Sequence, residues 1–458
     1  MVYYVLKSYS LNGLDALGIF EALSIRKNPF FLDTSLGRNK ENLGRYSILG
    51  SEPFAVLQEK NRSPFKELRE ILNRYKIDRA VAPLPFFGGG VGYLTYDLGL
   101  TLEKKIKKKN KPELSIPDAF FAFYNTGIII DHQKELLYIL ALGFPEKKYY
   151  LAKLLAENNF KNMLKIISNI RKKKASGVNS KKIGLPTPKL ESNFTKDEYL
   201  SAISRAKEYI KAGDIYQVNL SQQFKASTQL SSPEIYRRLR RVSPSYFSAY
   251  FDAGDFQILS SSPERFLKLD KSKVVTRPMK GTMPRGRGRT QDRAFRRELL
   301  NSAKDKAELV MIVDLERNDL GRVCSYNSIN VDTLRQLEEY STVFQTTANI
   351  SGRLHKDKDR IDLLHVCFPG GSITGCPKIR AMEIIEELEP GRRSIYTGSL
   401  GYLSFSGNMD FNILIRTILK KQNQLYFGTG GGIVADSRPE AEYAETLIKA
   451  KGMIEAIT

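Results

Sequence analysis

The chain has 458 residues, of which 41% are hydrophobic, 27% charged and 10% aromatic, and this composition excludes disordered, collagen-like and membrane-embedded chains. The 72 lysines and arginines outnumber the 50 acidic residues and give a formal net charge of +22. Such a charge fits an anionic substrate, an acidic partner or nucleic acid, and composition alone does not choose among them. The first twenty residues carry no secretion signal and no apolar run is long enough to span a membrane, so a cytosolic protein is expected.

The amino-terminal part of the chain mixes predicted strands and helices. Residues 45–49 and 92–96 have the residue pattern of strands, and residues 63–75 have the spacing of an amphipathic helix. A basic run that begins at Arg171 lacks the interleaved aromatic residues that stack on nucleic-acid bases. It opens a stretch rich in Gly, Ser and Pro, which predicts a linker over 171–191.

This linker divides the chain into an amino-terminal region at 1–170 and a larger region at 192–458. Near the start of the larger region, Thr195 and Glu198 have the spacing of a capping box, which predicts the start of an amphipathic helix. The segment after this helix alternates apolar and polar residues and predicts a strand.

Two predicted helices of the larger region carry closely spaced acid pairs. The first covers 304–313, where apolar side chains surround nearly the whole helix and predict that it is buried. The second begins near Pro439 and presents its acids and Lys449 on one face, opposite an apolar face. The pairs are Asp305 and Glu308 on the first helix, and Glu442 and Glu445 on the second. Acids at this spacing repel each other unless a cation is near, so either a Lys or Arg side chain or a divalent cation such as Mg²⁺ is expected between them.

Two other residues are candidates for catalysis. Glu264 follows the apolar segment 256–259, and burial at the end of a strand would raise its pKa and suit it to general-acid work. A salt bridge with Arg265 is the alternative for this carboxylate. Lys280 would become a nucleophile if a nearby cation lowered its pKa, although a lone lysine is usually solvated.

The remaining motifs limit the chemistry further. Two glycine clusters, at 88–92 and 428–432, match neither a dinucleotide-binding fingerprint nor a P-loop. The second follows a predicted strand, where its backbone amides are suited either to binding a carboxylate or to a tight turn. Three cysteines and three histidines are too few for a disulfide framework or a His-rich zinc site, so catalysis is expected to rely on carboxylates and lysine.

Several segments, taken together and in this order, resemble the chorismate-utilising enzymes. They are SPERF, P-x-K-G-T, DKAELVMIVDLERNDLGRV, FPGGSITGCPKIRAME and GTGGGIVADSRPEAEYAET, with GRYSILGSEPF and PFFGGGVGYLTYDL upstream. The resemblance covers nearly the whole chain. It implies an α+β fold like that of anthranilate synthase component I, in which two antiparallel β-sheets pack face to face with helices outside.

The resemblance also implies a role for individual residues. The implied ligands of Mg²⁺ are Glu308 and Glu445, with Asp305 and Glu442 in the outer shell, and the metal would hold the ring carboxylate of chorismate. Glu264 would protonate the departing 4-hydroxyl, and Lys280 would be the nucleophile. The groups implied to hold the carboxylates of the substrate are the side chains of Arg416, Tyr396 and Ser372 and the backbone amides of Gly430 and Gly432.

Lys280 separates the branches of this family. It is typical of the aminodeoxychorismate synthase branch, whereas the anthranilate synthase branch usually has alanine there, and the S-I-T-G-x-P-K motif separates the chain from the isochorismate synthases. The implied reaction aminates chorismate at C4 to give 4-amino-4-deoxychorismate, a step in the formation of para-aminobenzoate and folate. A separate glutamine amidotransferase would supply ammonia, because no cysteine stands in a glutaminase motif.

Two residues depart from the pattern of the family. Gln345 stands where many relatives have histidine and has no assigned role, and Asp305 replaces a commoner glutamate. Neither nucleic acid nor a membrane is expected as a partner, although the net charge keeps a nucleic-acid-binding protein as the alternative from another class.

Overall fold

The structure is a computed structural model that describes residues 2–37, 43–103, 105–110, 112–174, 188–340 and 343–458. The strands are β1 (Tyr4–Ser10), β2 (Phe30–Asp33), β3 (Tyr46–Gly50), β4 (Ala55–Glu59), β5 (Gly89–Leu94), β6 (Ala119–Tyr124), β7 (Thr126–Asp131), β8 (Leu136–Leu142), β9 (Glu191–Ser192), β10 (Gln217–Ser227), β11 (Phe247–Asp252), β12 (Gln257–Ser262), β13 (Arg265–Asp270), β14 (Lys273–Arg277), β15 (Met279–Pro284), β16 (Asn330–Glu339), β17 (Val343–Arg353), β18 (Gly375–Cys376), β19 (Ser399–Ser404), β20 (Met409–Ile413), β21 (Thr417–Lys421) and β22 (Gln424–Ile433). The α-helices are α1 (Ala16–Leu23), α2 (Phe65–Arg74), α3 (Tyr96–Leu102), α4 (Tyr149–Lys174), α5 (Lys196–Lys211), α6 (Ser232–Val242), α7 (Arg289–Asn301), α8 (Ala303–Gly321), α9 (Arg360–Cys367), α10 (Lys378–Leu388) and α11 (Pro439–Ile457).

The strands form two sheets in which neighbouring strands run antiparallel. The first sheet has 12 strands in the order β1-β8-β7-β3-β2-β11-β12-β21-β22-β10-β18, with β9 paired to β10. The second has 10 strands in the order β15-β17-β14-β13-β20-β19-β5-β6-β4, with β16 paired to β17. Each sheet takes strands from both sides of the predicted linker, so the two regions share one core. Residues 175–187, most of that linker, lie outside the described residues, and the boundary itself stays a prediction.

The two sheets pack face to face through aromatic side chains. Tyr93 on β5 of the second sheet packs edge to face against Phe251 on β11 of the first, with ring centroids 6.3 Å apart. The rings of Phe30 on β2 and Tyr124 on β6 are tilted against each other, with centroids 4.6 Å apart. Helices α1, α4, α6 and α11 pack against the other face of the first sheet, where their apolar residues form a second core. The predicted α+β fold of two antiparallel sheets with helices outside is therefore confirmed.

Most of the local predictions are also confirmed. Helix α2 lies within the predicted 63–75 segment, and Thr195 and Glu198 make both hydrogen bonds of the capping box that begins α5. The predicted strand at 92–96 ends earlier, at Leu94, because the Thr95 hydroxyl accepts a hydrogen bond from the Leu98 amide and caps α3. Among the described residues, no helix has the length and apolar content needed to cross a membrane.

One prediction about a helix face is wrong. Helix α8 is not buried all round, because Val310 and Met311 line an open groove on its outer side. In α11 the apolar side chains Leu447 and Ile448 are 42% and 51% exposed, whereas Glu442 on the polar face is buried. The polar face of α11 therefore points inward, which places its carboxylates at the end of β22.

Candidate active site

Every side chain and glycine assigned to the site from the sequence lines one cavity of about 150 Å³. It is bounded by β15, β22, α8 and α11. The predicted residues that line it are Glu264, Lys280, Asp305, Glu308, Ser372, Tyr396, Arg416, Gly430, Gly432, Glu442 and Glu445. Larger cavities, of about 670 Å³ beside the β2–β3 pair and about 1010 Å³ along the outer side of α8, contain none of these residues. The ionisable groups thus converge on the smaller cavity, which makes it the candidate active site.

Glu264 lies between β12 and β13 and is only 4% exposed. Burial raises its pKa to about 7, against the opposing effect of the Ser372 hydroxyl, which donates a hydrogen bond to Glu264 Oε1 at 2.6 Å. Arg265, the alternative partner, instead pairs with Asp410 at 2.9 Å. Glu264 is therefore substantially protonated near neutral pH, as a general acid must be. The hydroxyl of Ser372 is directed at Glu264, and its role as a substrate ligand stays a prediction.

Lys280 lies on β15 with its amine inside the cavity. Its Nζ is 3.7 Å from Glu308 Oε2 and packs against the backbone of Gly432, where a Cβ atom would lie only 2.6 Å from the amine. Arg277, a cation three residues before Lys280 in the chain, forms an ion pair with the buried Glu338. The charged partner of Lys280 is therefore the Glu308 carboxylate.

The two acid pairs face each other across the cavity. Lys304 Nζ is 3.8 Å from Glu308 Oε1 on α8 and 3.6 Å from Glu442 Oε1 on α11, so this one ammonium joins the two helices. Burial raises the pKa of Glu308. Glu442 also accepts a hydrogen bond from the Ser437 hydroxyl at 2.7 Å.

Glu445 has a lysine partner of its own. Lys449 Nζ lies 2.7 Å from Glu445 Oε1 and lowers the pKa of this carboxyl, and it also donates to the Gly430 carbonyl at 2.9 Å. Gly431 keeps the adjacent space open, since a Cβ there would lie 3.2 Å from Glu442 Oε2 and 4.0 Å from Glu445 Oε1.

These carboxylates have the donor chemistry that Mg²⁺ prefers, but their counter-ions in the structure are lysines. In the described part of the chain, no group of three or more His, Cys, Asp and Glu side chains is arranged to hold a metal ion. Mg²⁺ commonly uses only one or two protein carboxylates together with water and substrate oxygens. Glu308 and Glu445 suit that role, and Mg²⁺ binding stays a prediction. Asp305 lies beside Gly281, where a Cβ would be 3.1 Å from its Oδ1.

Arg416 lies between β20 and β21, with its guanidinium 5.7 Å from the centroid of the Tyr340 ring. Its Nη2 donates a hydrogen bond to Gln345 Oε1 at 3.0 Å. Within the described ranges, no carboxylate forms an ion pair with Arg416. This guanidinium therefore keeps its charge available for an anion in the cavity.

The glycine cluster at 428–432 belongs to strand β22 and is not a turn. A Cβ on Gly428 would lie 2.4 Å from the ring of Tyr396, and a Cβ on Gly430 would lie 2.5 Å from the Leu220 carbonyl. Glycine is needed here because an aromatic ring and a neighbouring strand approach the backbone closely.

The structure adds polar residues that no sequence motif marks. Lys304 bridges the two acid pairs, and Gln217 and Asn219 are buried on β10 beside the cavity. Neither polar atom of the Gln217 carboxamide, nor Oδ1 of Asn219, has a hydrogen-bond partner among the described residues. A sequence signal for these two residues is that polar side chains occupy the alternate positions 217, 219 and 221 of β10, with the apolar Val218 and Leu220 between them.

The chain is similar to known proteins over nearly its whole length. Residues 32–455 match the family described as chorismate binding enzyme. The chain is 36% identical over 457 residues to aminodeoxychorismate synthase component 1 of Bacillus subtilis (strain 168), covering 96% of this chain and 93% of that protein. It is 37% identical over 462 residues to anthranilate synthase component 1 of Acetivibrio thermocellus, covering 96% and 92%. The crystal structure of anthranilate synthase component I from Streptococcus pneumoniae TIGR4 matches with a TM-score of 0.78 and 30% identity, over 90% of this chain and 92% of that one. The chain therefore belongs to the family of chorismate-binding enzymes.

Proposed function

We propose that the chain is component I of aminodeoxychorismate synthase, which uses ammonia to replace the 4-hydroxyl of chorismate with an amino group. The observation that carries this proposal is the amine of Lys280, which lies in one cavity with the buried acid Glu264 and the guanidinium of Arg416. Relatives of similar identity are named for anthranilate synthesis, and the fold also occurs in isochorismate synthases, so these are the alternatives.

The side chains support a covalent route. The Lys280 amine, after its ammonium proton has passed to solvent, adds to C2 of the ring, the ring double bonds shift, and the C4–O bond breaks as Glu264 donates its proton, so that water leaves. Ammonia then forms a bond to C4, the double bonds return, and the lysine amine is expelled. The enolpyruvyl group at C3 is retained, and Arg416 would hold one carboxylate of the substrate throughout.

Glu308 and Glu445 would hold Mg²⁺, which, when bound, neutralises charge on the ring carboxylate of the substrate. Support for this assignment comes from the convergence of carboxylates from α8 and α11 on one small space. Lys304, whose side chain is 47% exposed and which bridges Glu308 and Glu442, has room to move outward when another cation enters.

A glutamine amidotransferase subunit would supply the ammonia. Burial raises the pKa of the Cys324 thiol to about 11 and also raises the pKa values of Cys367 and Cys376. None of the three cysteines of the chain is thus activated as a thiolate, the form that attacks glutamine in a glutaminase.

The test is a single incubation of purified chain with chorismate, Mg²⁺ and ammonium, read by mass spectrometry. The expected product contains nitrogen and retains the enolpyruvyl carbons. Release of pyruvate with anthranilate would support the anthranilate synthase alternative, and a nitrogen-free isomer of chorismate would support isochorismate synthesis. No turnover together with tight, salt-sensitive DNA binding would overturn the enzyme assignment.

A further inference from the structure

Gln345 on β17 is the neighbour of Arg416 that the proposed mechanism leaves without a task. Its side chain is 6% exposed and lines the same cavity. Oε1 accepts the hydrogen bond from Arg416 Nη2 at 3.0 Å, and Nε2 donates to the Thr282 hydroxyl at 3.3 Å. Register supports this arrangement, because Gln345 and Thr282 are paired residues of β17 and β15.

The chemistry of these partners determines which way the carboxamide points. A guanidinium only donates hydrogen bonds, so the atom of Gln345 that faces Arg416 must be its oxygen. The amide nitrogen then faces the Thr282 hydroxyl, which can accept. The orientation of Gln345 is therefore held at both ends.

A neutral acceptor orients a guanidinium without cancelling its charge. A carboxylate in the same place would form a buried ion pair with Arg416 and compete with any anion that enters the cavity. An apolar side chain would leave the guanidinium able to turn away. Of these three kinds of side chain, only the carboxamide both directs the charge and keeps it free.

We propose that Gln345 is a positioning residue that aims the Arg416 guanidinium at a substrate carboxylate and, by being neutral, leaves that charge for the substrate. This inference rests on the proposed function in one respect, namely that Arg416 binds a carboxylate of chorismate. The affinity for a dianionic substrate should therefore depend on the charge of the residue at 345 and not only on its shape.

The test compares Gln345→Glu with Gln345→Met by calorimetric binding of chorismate and by steady-state kinetics. Gln345→Glu keeps the shape of the side chain and an acceptor oxygen, yet it should raise Kd and KM more than Gln345→Met does, by roughly tenfold or more against wild type. The turnover number should change less than KM in both variants. Gln345→Glu should keep or raise Tm, because it adds an ion pair to Arg416.

A purely structural role for Gln345 predicts the reverse order. Gln345→Met, which loses both hydrogen bonds, would then be the more damaging change, and Gln345→Glu would be nearly silent in binding. Thr347→Val on the same strand is the matched control, since the buried Thr347 hydroxyl has no hydrogen-bond partner in the described structure and does not line the cavity. This control should bind chorismate as wild type does.

A double-mutant cycle separates this inference from the proposed function. In an Arg416→Met background, Gln345→Met should cause little further loss of chorismate affinity, because the neutral carboxamide acts only through Arg416. Equal losses in both backgrounds would overturn the positioning role while leaving the enzyme assignment intact. Failure of the wild-type chain to bind chorismate would overturn the proposed function itself.

Discussion

Removal of the Ser372 hydroxyl should make Glu264 a weaker acid and shift the pH range of activity upward. The Ser372 hydroxyl donates to Glu264 Oε1 at 2.6 Å and lowers the pKa of a carboxyl that burial raises to about 7. A hydrogen bond to a charged group contributes about 1.5–3 kcal/mol, and about 1.4 kcal/mol corresponds to one pKa unit. The protonated acid retains part of this hydrogen bond, so the energy by which Ser372 favours the charged form over the neutral form is at the lower end of this range, about 1.5 kcal/mol. We therefore expect Ser372→Ala to raise the pKa of Glu264 by about one unit.

The assay is the pH dependence of kcat/KM for chorismate, with the concentration of unprotonated ammonia held constant at each pH. A general acid works in its protonated form, so activity is present below the pKa of Glu264 and is lost as the pH rises through it. The alkaline decline should lie near pH 7 in wild type and about one unit higher in Ser372→Ala. Thr374→Val is the control, because the buried Thr374 hydroxyl donates to the Gly370 carbonyl and not to Glu264.

If the alkaline decline of Ser372→Ala is unchanged or lies at lower pH than in wild type, Glu264 is not the group whose ionisation causes the loss of activity. A shift of the same size in Thr374→Val would show that general loosening of the Gly370–Thr374 segment, and not the hydrogen bond, moves the profile. If Ser372→Ala lowers the rate at every pH and leaves the alkaline decline at the same pH, the result would instead favour a direct contact between Ser372 and the substrate.

Other outcomes follow from the same cavity. Glu264→Gln should abolish turnover yet raise the stability measured by denaturant unfolding above pH 7, by up to about 3 kcal/mol, because it removes a buried charge. Glu308→Gln and Glu445→Gln should each raise the Mg²⁺ concentration for half-maximal rate at least about tenfold, and full activity of both at ordinary Mg²⁺ would exclude these ligands. Lys280→Ala should slow turnover and give a product aminated at C2, identified by mass spectrometry and NMR, whereas wild-type rates of the 4-amino product would exclude covalent catalysis. Gly432→Ala should displace the Lys280 amine and slow turnover, since the added methyl would lie 2.6 Å from Nζ, and a wild-type turnover rate would contradict this.

Much of the fold could be predicted from the sequence because the signals are local. The capping box of Thr195 and Glu198 begins α5 as predicted, since both of its hydrogen bonds are formed within four consecutive residues. The strand predicted to reach residue 96 was too long because a competing local signal, the Thr95 cap, starts α3. Helix faces were less predictable, because hydrophobicity does not reveal which side of a helix the rest of the chain covers.

The order of residues is enough to show which chemical groups are present and how they are spaced within each element, including the acid pairs of α8 and α11 and the lysine on β15. The partners of those groups depend on the tertiary structure. It turned the acidic face of α11 inward, set Lys304 between two helices and buried Glu264 beside Ser372, which raises its pKa to about 7. It also gave Gln345 a partner 71 residues away in Arg416. The physical reason is that desolvation and charge pairing depend on distances across the cavity between elements remote in the chain, whereas capping and periodicity depend only on near neighbours.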